Sequence, residues 1–172
     1  CATDGVSPVT IAALNGHAEC IRLLSELGAD VDIRGPDGGA PISAAAENGR
    51  AECVRVLHEL GTDVNACASD SSSPVLAAAE EGHAECIREL HELGADVNKR
   101  GPNGRSPVHA AAENGHAKCV RVLGELGADV NAGYALCASP VSGAAEFGHA
   151  ECIRVLHELG DDINKCSTKN GF

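Results

Sequence analysis

The sequence predicts an all-α repeat solenoid of helix-turn-helix units joined by short finger loops or hairpins, and three observations carry that prediction. A 33-residue unit recurs five times without insertion or deletion. Three series keep its phase: prolines at Pro8, Pro41, Pro74, Pro107 and Pro140, glycines at Gly16, Gly49, Gly82, Gly115 and Gly148, and cysteines at Cys20, Cys53, Cys86, Cys119 and Cys152. Helix start and stop signals fall at the same places in each unit. A unit of this length cannot enclose a core alone, so its apolar face must be covered by its neighbours.

The elements follow in order along one array over residues 1–172, with units at 2–34, 35–67, 68–100, 101–133 and 134–166 and a partial sixth at 167–172. In the fourth unit Ser106 caps the first helix and Pro107 takes its first position, where a missing N–H costs nothing. Gly115 closes that helix. A second helix runs from about Ala117 to Leu126 and stops at Gly127. Cys119, Val120, Leu123 and Leu126 keep the three-four spacing of a buried face, and Arg121 and Glu125 face water. The remainder is an extended finger with a turn, for which Gly35-Pro36-Asp37-Gly38 and Gly101-Pro102-Asn103-Gly104 are suited. Ala40 stands where the other units have a capping Ser, so the second unit is expected to be locally weak.

Composition bounds the function. The chain is 44% apolar but only 2% aromatic, with no Met or Trp, so its core must be Ala, Val, Leu, Ile and Cys. A formal net charge of −12, with Lys and Arg dispersed among acidic residues, argues against nucleic acid. No apolar run approaches a membrane span and no signal pattern is present. With no initiator Met and no polar cap at either end, the chain reads as a piece of a longer array, natural or engineered.

The repeated cysteines are expected to be buried and reduced. Equivalent helices of adjacent units lie roughly 8–10 Å apart, beyond the roughly 7 Å limit between bridged Cα atoms. A reducing compartment follows: cytoplasmic, with the nucleus also open. Cys1, Cys67, Cys137 and Cys166 fall in fingers and are expected as exposed thiols. His17, His83, His116 and His149 each precede a Cys by three residues, but copies spread along a line cannot converge as the ligands of a metal must. His58, His91 and His157 are expected to be solvated. Without a phosphate-cradling loop, nucleophile elbow or unusual carboxylate pair, no enzyme, metal or cofactor is expected.

Ser106-Pro107-Val108-His109-Ala110-Ala111, followed by Gly115-His116 and Gly127-Ala128-Asp129-Val130-Asn131, resembles the ankyrin repeat. The resemblance covers residues 2–166. Its signature His is kept only at His109, with Thr10, Ser43, Leu76 and Ser142 at the equivalent places. The resemblance implies a protein-binding module whose fingers and first helices form a concave surface. It implies that the mid-repeat histidines, and Arg50 in their place, brace the loop and the next unit. Asn65, Asn98, Asn131 and Asn164 look like the context in which asparaginyl hydroxylases act, the alternative being that each Asn only shapes its finger.

Positions that vary between units are where specificity is expected. The fifth unit departs furthest, and Tyr134, Leu136 and Phe147 are expected to form an exposed apolar cluster flanked by Glu113, Asn114 and Glu146. Arg100, Arg105, Glu80 and Glu81 continue the surface along neighbouring units. Tyr134 and Leu136 could instead pack on the last finger and shield the end of the array. The expected partner is a protein or peptide bound to a non-catalytic scaffold. The alternative is a structural or engineered homo-oligomer joined through the apolar fifth unit about a symmetry axis.

Overall fold

The structure is a computed structural model describing residues 6–35, 38–67, 72–133 and 139–164. Ten α-helices occur among them, in five consecutive pairs: α1 (Pro8–Asn15) with α2 (Ala18–Glu26), α3 (Pro41–Glu47) with α4 (Ala51–Glu59), α5 (Pro74–Glu80) with α6 (Ala84–Glu92), α7 (Pro107–Glu113) with α8 (Ala117–Glu125), and α9 (Pro140–Glu146) with α10 (Ala150–Glu158). No strand occurs among the described residues. First helices pack on first helices of the adjacent pairs and second helices on second helices, giving two layers with the core between them. The array is thus the all-α solenoid expected from the period.

Local chemistry sets each boundary. Ser7, Ser73, Ser106 and Ser139 have extended backbones and accept a hydrogen bond from the N–H three residues on, at Thr10, Leu76, His109 and Ser142. Ala40 has the same backbone without a side-chain cap, as expected. At the other end of α7 the chain turns through Gly115 at φ 80°. There the Gly115 N–H donates to the Ala112 carbonyl at 3.3 Å and the His116 N–H to that of Ala111 at 2.8 Å, which satisfies carbonyls the helix leaves open.

The core is aliphatic. Ile21, Ile42, Leu57, Leu76, Ile87, Leu90, Leu123 and Leu156 are its largest wholly buried apolar side chains, and the alanines of the first helices let those helices approach closely. Close fit dictates Gly101 too. A Cβ there would lie 2.1 Å from Leu76 Cδ2, which fills the space that polar side chains occupy in other units.

Three expectations need correction. Cys53, Cys86, Cys119 and Cys152 are buried, but Cys20 is exposed, because no helix among the described residues covers the outer side of α2. His58 is half-buried rather than solvated, and its Nδ1 is buried without a hydrogen-bond partner. Cys67 is half-buried, with its thiol 3.7 Å from the Asn65 carbonyl. Cys1, Cys137 and Cys166 lie outside the described residues.

Candidate functional site

The αL glycine that ends each first helix places two variable residues just before it: Glu47 and Asn48, Glu80 and Glu81, Glu113 and Asn114, Glu146 and Phe147. Glu81, Asn114, Glu146 and Phe147 are exposed, Phe147 at 55%. Phe147 holds in the fifth unit the register position of Asn114 in the fourth. Tyr134 and Leu136, expected beside it, lie outside the described residues.

Glu80 and Glu113 are half-buried and belong to a charge cluster. Arg105, from the finger before α7, lies 2.5 Å from Glu80 on α5 and 2.6 Å from Glu113 on α7. Glu113 is in turn 3.8 Å from Nε2 of His109. His109 is 1% exposed, and burial pushes its pKa down to about 4, a shift the Glu113 charge opposes and Arg105 reinforces. Gly143 on α9 makes room for this ring, since a Cβ there would lie 3.2 Å from His109 Nε2. The equivalent first-helix position is Ala44, Ala77 or Ala110 in the three units before it.

Asn114 Nδ2 donates to the Glu80 carbonyl at 3.1 Å, and His116 Nε2 is 2.9 Å from the same oxygen. Arg50 Nε likewise donates to the Leu14 carbonyl at 3.1 Å. The mid-repeat side chains therefore brace the preceding unit, not the next one. They also pack on its αL glycine: Cβ atoms at Gly49, Gly82 and Gly115 would each fall 2.7 Å from Nδ1 of His83, His116 and His149. Arg100 holds two fingers together, its Nη1 donating to Gly104 at 2.8 Å and Gly133 at 2.9 Å. Asn65 and Asn98 also tie fingers together: each Oδ1 accepts from the next finger's Asp N–H, at 3.0 and 2.9 Å, and each Nδ2 donates to a Gly carbonyl.

An open groove of about 660 Å³ crosses the outer layer, lined by Glu85, Arg88, His116, Lys118, Arg121 and Glu151 among others. Sequence reasoning missed it. Its one signal is Lys118, which stands where every other unit has Glu19, Glu52, Glu85 or Glu151. Arg88 and Arg121 on its walls are already paired, with Glu125 at 3.0 Å and Glu158 at 2.8 Å. Among the described residues no group of three or more His, Cys, Asp or Glu side chains is disposed to hold a metal, and no helix is long and apolar enough to cross a membrane.

A two-layer stack of capped helix pairs with bracing side chains between units defines a repeat scaffold whose variable residues lie on its surface. Comparison with protein families matches residues 1–68 and 45–134 to "Ankyrin repeats (3 copies)", and the chain belongs to the ankyrin repeat family. Such repeats are in general protein–protein interaction modules and typically non-catalytic. No curated protein matches the chain.

Proposed function

We propose that this chain is a non-catalytic scaffold that binds a protein or peptide on the surface made by its fingers and the ends of its first helices. The observation that carries the reading is Phe147, an aromatic ring 55% exposed at the end of a helix whose neighbouring positions are polar. An exposed aromatic beside Glu146, with Asn114 and Glu81 in the same register on adjacent units, supplies an apolar anchor and a polar rim. Arg105 pairs with both Glu80 and Glu113, one positive charge against two carboxylates, so the middle of this surface is a polar, net acidic platform that the exposed Glu81 and Glu146 extend.

Capture with the immobilised chain, native against Phe147→Ala, tests the reading. Losing a hot-spot aromatic weakens binding by about 2 kcal/mol or more, roughly thirtyfold. Proteins enriched by the native chain should therefore be lost from the variant while its melting temperature is unchanged. Undiminished capture by Phe147→Ala would refute the anchor, and a lowered melting temperature would show that the ring belongs to the core.

A further inference from the structure

We propose that the partner held beside Phe147 is a basic peptide, one of whose arginines bridges Glu113 and Glu146 as Arg105 bridges Glu80 and Glu113 one unit earlier. This names the chemistry of the partner and rests on the scaffold reading.

One gap of the array is already filled in this way. Glu80, Glu113 and Glu146 are each the last residue of a seven-residue first helix, and α5 packs on α7 as α7 packs on α9. Glu113 and Glu146 therefore repeat the arrangement of Glu80 and Glu113. In that earlier pair one guanidinium reaches both carboxylates, with Nη1 2.5 Å from Glu80 and Nη2 2.6 Å from Glu113. A planar fork that sets one nitrogen against each helix is what arginine offers and lysine does not. The chain itself supplies that fork only once: Val6, Gly39, Ser72 and Ala138 stand at the position of Arg105 in the other units.

The second gap is negative. One guanidinium leaves Glu80 and Glu113 with a net negative charge, and His109, 3.8 Å from Glu113, is neutral at pH 7 because burial pushes its pKa down to about 4. Glu146 adds a further carboxylate; it is exposed and makes no ion pair among the described residues. Its exposure belongs to the register and not to the last unit. Glu47, its equivalent in the second unit, is exposed, and so are Asn15, Asn48, Glu81 and Asn114, the equivalents of Phe147. Phe147, next in the chain after Glu146, is placed to pack the apolar residue that neighbours the bridging arginine in the partner. The net charge of −12 steers a cationic partner toward the chain.

A displayed library of random short peptides, selected on the immobilised native chain, supplies the probe. Enriched sequences should carry an arginine next to an apolar residue. One of them, synthesised with a fluorescent label, should lose at least about tenfold in affinity by anisotropy when citrulline replaces its arginine, which keeps the shape and removes the charge. Lysine at that place should recover only part of the loss. Glu146→Gln should weaken the arginine peptide to a similar degree, and against this variant the citrulline change should cost little more. Glu146 and Phe147 are exposed, so both variants should melt with the native chain. Enriched peptides without arginine, or peptides that Glu146→Gln binds as tightly as the native chain does, would overturn the proposal; if Phe147→Ala still loses those peptides, the scaffold reading stands without it. A library that yields no binder, or binders that Phe147→Ala retains in full, would overturn the Phe147 surface and the proposal with it.

Discussion

Ala40→Ser should stabilise the second unit by more than an ordinary helix cap, because the residue that would complete the cap is already there. Ala40 has the backbone of the capping serines and is 3% exposed, against 2%, 3% and 0% for Ser73, Ser106 and Ser139, so a serine hydroxyl fits the same buried place. Three residues on, Ser43 is buried and its Oγ has no hydrogen-bond partner. In the fifth unit the equivalent pair forms a reciprocal box: the Ser142 N–H donates to Ser139 Oγ at 3.2 Å, and the Ser139 N–H donates to Ser142 Oγ at 2.8 Å. A serine at position 40 rebuilds that box. The cap contributes about 0.5–2 kcal/mol, and giving the Ser43 hydroxyl a partner adds about 1 kcal/mol.

Urea denaturation followed by circular dichroism should therefore show a gain of about 1–3 kcal/mol, or several degrees in melting temperature at about 2–4 °C per kcal/mol. A double-mutant cycle separates the two contributions. Ser43→Ala alone removes an orphaned hydroxyl and should be neutral or slightly stabilising, whereas in the Ala40→Ser background it breaks the new pair and should cost about 0.5–1.5 kcal/mol. Strict additivity would refute the box, and an unchanged or lower midpoint for Ala40→Ser would refute the cap.

Other outcomes follow from the same geometry. His109 titrates near 6.5 in the unfolded chain and is pushed to about 4 in the fold, so it stays neutral where the unfolded chain takes up a proton. Its contribution is therefore complete above about pH 6.5 and is lost on acidification toward pH 4, by on the order of 3 kcal/mol. His109→Ser, the residue found at this position in the second and fifth units, should flatten the acid limb of the stability curve; an unaltered limb would exclude His109 as its source. A thiol reagent should label Cys20 fast and leave Cys53, Cys86, Cys119 and Cys152 protected, burial pushing Cys86 and Cys119 up to about 12 and Cys152 to about 11. Uniform labelling rates would contradict the stacked core. Gly148→Ala should cost about 1–2 kcal/mol, from left-handed backbone alone, whereas Gly82→Ala also drives a Cβ to 2.7 Å from His116 Nδ1 and should cost more. Equal losses in thermal melts would mean that the ring yields without penalty.

What was legible in the sequence, and what was not, divides along a physical line. Features that obey a local rule could be read directly. Ser106 before Pro107 and Gly115 after α7 are backbone chemistry, and a strict period carries them to every unit. The period could not supply direction. It says that His116 recurs but not that its ring reaches back to the Glu80 carbonyl, since the same spacing serves either neighbour. Nor could it show effects of neighbours: Cys20 and Cys53 share an Ala-Glu-Cys-aliphatic-Arg pattern, but among the described residues only Cys53 has a preceding helix pair against it. Arg105 was recognised as variable, yet its two partners lie on different helices, one of them 25 residues away, and no short-range pattern joins them. The Arg–Glu contacts at 37 residues are different in kind. Arg22 with Glu59, Arg88 with Glu125 and Arg121 with Glu158 can be found by comparing charges one unit ahead, whereas Arg55 reaches Glu89, one helical turn short of that register. In a stacked array, then, long-range pairing is a second periodicity, displaced from the first by the few residues that separate facing positions on adjacent helices.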